Sequence, residues 1–117
     1  MKIQETELLV NPHAGVILKE EYLTEMQMSQ NELARRIGVP SNRIHQIVSG
    51  QRAVTADTDL RLCRFLGLSE GFFLRLQAAY NLREAKRKGV PIEDIEPYKW
   101  PMSDIDKKEL DSLSLFV

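Results

Sequence analysis

The sequence predicts an all-α protein: a bundle of five helices followed by a proline-rich, acidic C-terminal extension. Three observations carry this. Apolar residues recur at helical spacing from Asn11 to Lys88. The recurrence breaks at Gly38-Val39-Pro40, Ser49-Gly50 and Gly67, residue types that stop helices. From Gly89 onward, three prolines and seven acids replace the periodic pattern. The 117 residues therefore divide into an N-terminal arm (1–11), a helical domain (12–88) and the extension (89–117), a size that suits one compact domain with a tail.

Helix 1 spans Asn11 to Met26, with Asn11 as N-cap and Pro12 at the first helical position. Its inner face is Leu18, Tyr22, Leu23 and Met26, while Lys19, Glu20, Glu21 and Glu25 face water. His13 lies at its start, where a lone histidine is solvated more often than it binds phosphate or metal. Helix 2 begins at Ser29, whose spacing to Glu32 makes a capping box, and buries Leu33, Ala34 and Ile37. Val39-Pro40 then forces an extended step, because the residue before proline is driven out of the helical region. Ser41 caps helix 3, which buries Ile44, Ile47 and Val48. Small Ala34 and Gly38 suit close approach of these two helices.

Helix 4, capped by Thr55 or Asp57, runs to about Leu66, and Leu60, Leu62, Cys63 and Leu66 close the bundle. Helix 5 runs from about Glu70, capped by Ser69, to Lys88. Its apolar stripe of Phe72, Phe73, Leu76, Ala79 and Tyr80 is too wide for a simple surface helix. That width marks Phe73, Leu76 and Tyr80 as a self-association seam, although core packing explains most of these residues equally well. In the extension, Tyr98, Trp100 and Phe116 are costly to leave in water, and there is room for a short helix from Ser103 to about Leu113. Its apolar anchors and acidic charge fit the chain's own bundle, a dimer mate or a basic partner protein. Its composition equally fits a disordered tail.

Helices 2 and 3, joined by the tight break, form a helix-turn-helix pattern more than twenty residues long. Such a pattern lays its second helix in the DNA major groove, N-terminal residues foremost. The outward residues there are Asn42, Arg43, His45 and Gln46, with Ser41 at the tip. Asn, Gln and Arg side chains make paired hydrogen bonds to base edges. Gln30 at the exposed start of helix 2 and Arg52 just beyond helix 3 are placed for phosphates, with Arg35 and His45 as further candidates. One such helix covers a half-site, so a two-fold dimer on an inverted repeat is expected.

The net charge of −1 conceals a division along the chain: −3 over residues 1–28, +6 over 29–88 and −4 over 89–117. The positive charge is concentrated where phosphates would be met. A single cysteine, Cys63, excludes an internal disulfide, fits a reducing cytoplasm and reads as a buried, inert thiol. The opening MKIQETELLV carries two glutamates ahead of any apolar run, unlike a signal peptide. No run approaches the roughly 20 apolar residues of a membrane span. With no Gly-rich phosphate loop, no Cys/His metal spacing and no nucleophile beside a base, neither an enzyme nor a metal or cofactor site is expected.

The runs NPHAGVILKEEYL, SQNELARRIGVPSNRIHQIVSGQR and TADTDLRLCRFLGLSEGFFLRLQAAYNLREA together resemble the HigA-type (VapI-like) antitoxins of the XRE/Cro–C1 helix-turn-helix family. The resemblance covers Asn11 to Lys88. Its most specific part is the series Ser69, Phe72, Phe73, Leu76, Gln77, Tyr80 and Leu82, with Phe73 where the family often has tryptophan. It implies a lambda-repressor-like bundle and a dual role: a homodimer that binds an inverted repeat at its own promoter and neutralises a small HigB/RelE-like toxin that cleaves messenger RNA. It also implies that Ser41, Asn42, Arg43 and Gln46 read bases while Gln30 and Arg52 meet phosphates. The extension beyond Lys88 departs from the shorter family pattern. A stand-alone XRE-type repressor with no toxin partner is the alternative.

Overall fold

The computed structural model of the protein describes residues 11–101. The Leu8-Leu9-Val10 segment, the short helix expected from Ser103 to Leu113 and the anchor Phe116 lie outside the described residues. Five helices and no strand make up the described chain. Helix α1 is one continuous rod of three pieces, Ala14–Ile17, Leu18–Leu23 and Thr24–Met26. Then come α2 (Gln30–Ile37), α3 (Ser41–Val48), α4 (Ala56–Leu66) and α5 (Phe72–Lys88). None is long and apolar enough to cross a membrane among the described residues.

The start of α1 differs from the sequence expectation. Pro12 is not its first residue and Asn11 is not its cap. His13 holds the cap position, its Nδ1 accepting the Gly15 N–H at 3.0 Å. Burial lowers the His13 pKa from its ordinary value of 6.5, which favours the neutral ring that this bond requires. Asn11 takes up left-handed backbone angles (φ 57°) and works at long range. Its amide donates to the Tyr80 carbonyl and to Glu84 Oε1, each at 3.2 Å, and accepts from Arg83 Nε at 2.5 Å. Arg87 first, and Asn11 second, hold the Glu84 carboxyl below its ordinary range.

The middle piece of α1, Leu18–Leu23, is π-helical. Its wider turn brings Leu18 and Leu23, five residues apart and both buried, to the same core. Met26, expected inside, is 38% exposed because α1 ends there as Gln27 turns left-handed.

Ser29 caps α2 as expected, accepting from the Glu32 N–H at 3.0 Å. The Glu32 carboxylate turns to Arg35 at 2.5 Å instead of reaching back to close a capping box. At the other end Gly38 is left-handed (φ 75°), with Gly38 N–H bonded to Arg35 O and Val39 N–H to Ala34 O. This paired pattern satisfies the last carbonyls and buries Val39 as its apolar contact. Pro40, not Ser41, is the cap residue of α3: at φ −62°, ψ 141° it is extended, and its carbonyl accepts from Arg43 N–H at 3.0 Å. Ser41 is already helical, so its hydroxyl is not spent on capping.

Helices α1 and α3 approach closely, so that a Cβ added to Gly15 would sit 1.9 Å from the Ile47 carbonyl oxygen. The core gathers Leu18, Leu33, Ile44, Ile47, Leu62, Cys63 and Phe73, all at or below 2% exposure. Tyr22, Phe72 and Phe73 pack edge-to-face with ring centroids 5.1 to 6.2 Å apart. Burial pushes the Cys63 thiol up, away from the reactive thiolate. Thr55 caps α4 by accepting from Thr58 N–H. Leu60, expected in the core, is 49% exposed on the outer face of α4.

Helix α5 begins later than expected, at Phe72, and Ser69 does not cap it. Its cap residue is left-handed Gly71, which has no side chain to offer. The acceptor comes from α4. Asp59, 1% exposed, takes the N–H groups of Gly71 (2.6 Å), Phe73 (2.9 Å) and Leu74 (3.2 Å) on its two carboxylate oxygens. A buried negative charge is tolerated there because it faces the positive end of a 17-residue helix and is fully hydrogen-bonded. Beyond left-handed Gly89, residues 90–101 run without helix, and Val90, Ile92, Ile95, Tyr98 and Trp100 are exposed. Tyr98 and Trp100 pack edge-to-face at 4.5 Å.

Candidate nucleic-acid interface

The turn before α3 and the loop after it fix that helix in space. Ile44 and Ile47 anchor its inner face in the core. Arg61 of α4 ties the turn, with Nη1 donating to the Ile37 carbonyl at 2.9 Å and the Gly38 carbonyl at 3.3 Å. After α3, Gln77 of α5 grips the loop at Val54, donating to its carbonyl (3.0 Å) and accepting its N–H (2.7 Å). That bond pair holds the segment carrying Arg52. The sequence pattern contained Gln77 and Arg61, yet their partners lie 23 and 24 positions away and leave no local signal.

On the outer face of α3, Ser41 and Asn42 are exposed at the N-terminal tip. One turn on, Gln46 is half-buried, its Oε1 accepting from Arg52 Nε at 2.9 Å. The Arg52 backbone N–H also bonds the Gln46 carbonyl at 3.2 Å. Gln46 is thus oriented by the residue expected to meet phosphate, and the two form one unit. His45 bridges α3 to the start of α2, with Nδ1 against Gln30 Oε1 and Nε2 2.9 Å from Asn31 Oδ1. Asn31 was not anticipated; it follows Gln30 and faces the same ring. Arg43 is drawn toward α4, where its Nη1 donates to Asp57 Oδ2 at 3.1 Å. Arg35 stands apart from this cluster, paired within α2 to Glu32 and largely exposed.

Of the proposed seam residues, Phe73 is fully buried in the chain's own core, while Leu76 and Tyr80 are half-buried. Leu82, on the same helix, is 58% exposed. A small cavity of about 170 Å³ lies between the α1 start, the loop after α3 and α5, lined by His13, Gly50, Arg52, Gln77 and Tyr80 among others. Among the described residues no cluster of three or more His, Cys, Asp or Glu could hold a metal ion.

The outer face of α3 is polar, and the turn before it and the loop after it are both braced. The helix-turn-helix family matches residues 18–73. Virulence-associated protein I of Dichelobacter nodosus is 44% identical over 85 residues, covering 73% of this chain and 79% of that protein. Among solved structures, the Pseudomonas aeruginosa antitoxin HigA with its higBA promoter superposes with a TM-score of 0.68 at 36% identity, covering 76% of this chain and 99% of HigA. A second structure from Pseudomonas aeruginosa, solved in complex with 18-base-pair operator DNA, gives a TM-score of 0.71 at 37% identity, covering 74% of this chain and 96% of that chain. This family consists of DNA-binding regulators and is not an enzyme class. The chain belongs to the XRE-type helix-turn-helix family, as a HigA-type, VapI-like member.

Proposed function

We propose that the protein is the antitoxin of a type II toxin–antitoxin pair: a homodimer that represses its own promoter and neutralises a HigB/RelE-like, mRNA-cleaving toxin. The observation that carries the DNA half is the outer face of α3. There Ser41, Asn42, Arg43 and Gln46 offer base-edge donors and acceptors, and Gln30, His45 and Arg52 flank them for phosphate. The relatives solved with promoter or operator DNA share this scaffold. In the dimer, Leu76, Tyr80 and exposed Leu82 of α5 form the seam, with Phe73 supporting it from beneath. A two-fold pair then sets one α3 in each half of an inverted repeat.

The toxin half draws on the likeness to HigA. Its test is co-expression of the full chain with the product of the small open reading frame beside its gene, tagged on that neighbour alone. The expected result is a stoichiometric complex, with growth arrest by the neighbour relieved when this chain is present. Promoter binding with neither complex nor relief would leave a plain transcriptional repressor and overturn the antitoxin reading. Repeating the purification with Ile92→Ser and Tyr98→Ala shows whether the exposed residues of the extension take part.

A further inference from the structure

Arg43 is the sole arginine of α3, and its side chain is not poised outward. Its side chain is only 27% exposed. Its Nη1 donates to Asp57 at 3.1 Å. Its Nε is the one buried side-chain nitrogen or oxygen without a hydrogen-bond partner among the described residues. The group that should read a base is therefore partly withdrawn and bound to a carboxylate outside the helix-turn-helix.

That carboxylate is itself held in place. Asp57, the second residue of α4, accepts from Arg61 Nε at 3.3 and 3.2 Å on its two oxygens. Arg61 in turn is fastened to the Ile37 and Gly38 carbonyls of the turn that aims α3. The acceptor for Arg43 is thus fixed to the same frame as the recognition helix. Its side chain is 59% exposed, so its negative charge faces any phosphate that approaches Arg43.

We infer that Asp57 is a specificity-determining residue, a built-in competitor that Arg43 leaves only for a base edge offering two acceptors. Two consequences follow from its chemistry. On DNA of arbitrary sequence, a phosphate can take the guanidinium fork on two oxygens, but its negative charge brings it against the exposed Asp57 carboxylate, which repels it, whereas a base edge carries no charge. At a guanine edge, O6 and N7 accept two parallel hydrogen bonds from the guanidinium fork, replacing one bond with two. The exchange is then favourable at the right base and unfavourable elsewhere. Discrimination comes as much from suppressing wrong sequences as from attraction to the right one.

This rests on the DNA-reading function proposed above. The test compares the wild-type full chain with Asp57→Asn and Asp57→Glu. Binding to a duplex from the protein's own promoter and to a scrambled duplex is followed by fluorescence anisotropy over a range of salt concentrations. Asp57→Asn should tighten binding to the scrambled duplex roughly threefold to tenfold while changing promoter binding much less. The ratio of the two affinities should fall accordingly. Asp57→Glu, which keeps the charge, should return that ratio toward wild type. Equal tightening on both duplexes would show a general charge effect, and loss of promoter binding alone would make Asp57 a simple buttress for Arg43; either overturns the inference. Wild-type protein that does not distinguish the two duplexes would instead overturn the DNA-reading function itself.

Discussion

Asp59→Ala should lower the stability of the domain by about 3 kcal/mol, among the largest effects of any single polar substitution here. The carboxylate accepts three backbone N–H groups at the start of α5, and neither it nor adjoining Phe73 is open to water. Removing it leaves those donors unsatisfied and a hole where the carboxylate stood. Loss of an ordinary N-cap alone costs about 1 kcal/mol, and hydrogen bonds to a charged acceptor are worth about 1.5–3 kcal/mol each. Relief of the carboxylate's own desolvation offsets part of that, which sets the net figure near 3 kcal/mol. Thermal unfolding should show Tm lower by roughly 12–24 °C, since 1 kcal/mol moves Tm by about 4–8 °C in a domain of this size. Asp59→Asn should fall between, because one amide oxygen remains to accept while the NH2 faces a donor. An alanine variant within about 5 °C of wild type would show that α5 does not depend on this cap.

Gly15→Ala should be comparably severe for a different reason. The new methyl carbon would stand 1.9 Å from the Ile47 carbonyl oxygen and 2.8 Å from its carbon. Both are backbone atoms of α3, so no flexible side chain can move aside, and α1 and α3 must separate by about 1 Å. Overpacking of this kind costs about 1–3 kcal/mol and sometimes more. The displaced element is α3, the helix proposed to read the operator, so promoter binding should weaken beyond what the loss of stability explains. Gly67→Ala is the control: its backbone is left-handed (φ +72°), but nothing lies within 4 Å of the added carbon. That variant should lose only about 1 kcal/mol of backbone strain and leave DNA binding unchanged. If both glycine variants melt together and bind alike, the close contact between α1 and α3 does not position the reader.

Features set by neighbouring residues were legible in the sequence. Ser29 and Thr55 cap their helices, and Gly38 and Gly67 end theirs, because each acts within one turn of chain. The two apolar faces of the helix-turn-helix follow for the same reason. Features set by distant partners were not legible. Asn11 fits an N-cap locally but is drawn to Tyr80, Arg83 and Glu84 on the far helix. Ser69 fits a cap for α5, yet Asp59 of α4 supplies the acceptor. Leu60 and Met26 match the helical period and still face water, because periodicity finds a stripe without saying how far the core extends over it. At the interface, residue type on the outer face of α3 pointed to Arg43 and Gln46. Their tethers to Asp57 and Arg52 required the folded arrangement, most of all for Asp57, fourteen positions from Arg43.

The most direct test of the central claim, that α3 reads a specific operator, is a titration of one promoter duplex with wild type and Arg43→Ala. Salt is held constant, and a scrambled duplex is run in parallel. Wild type should bind the promoter as a dimer and prefer it to the scramble. Arg43→Ala should lose about 1–3 kcal/mol on the promoter, with its discrimination relaxed at one or two base pairs and its affinity for the scramble nearly unchanged. Equal binding of the promoter by mutant and wild type would remove Arg43 from the reading surface and contradict the account.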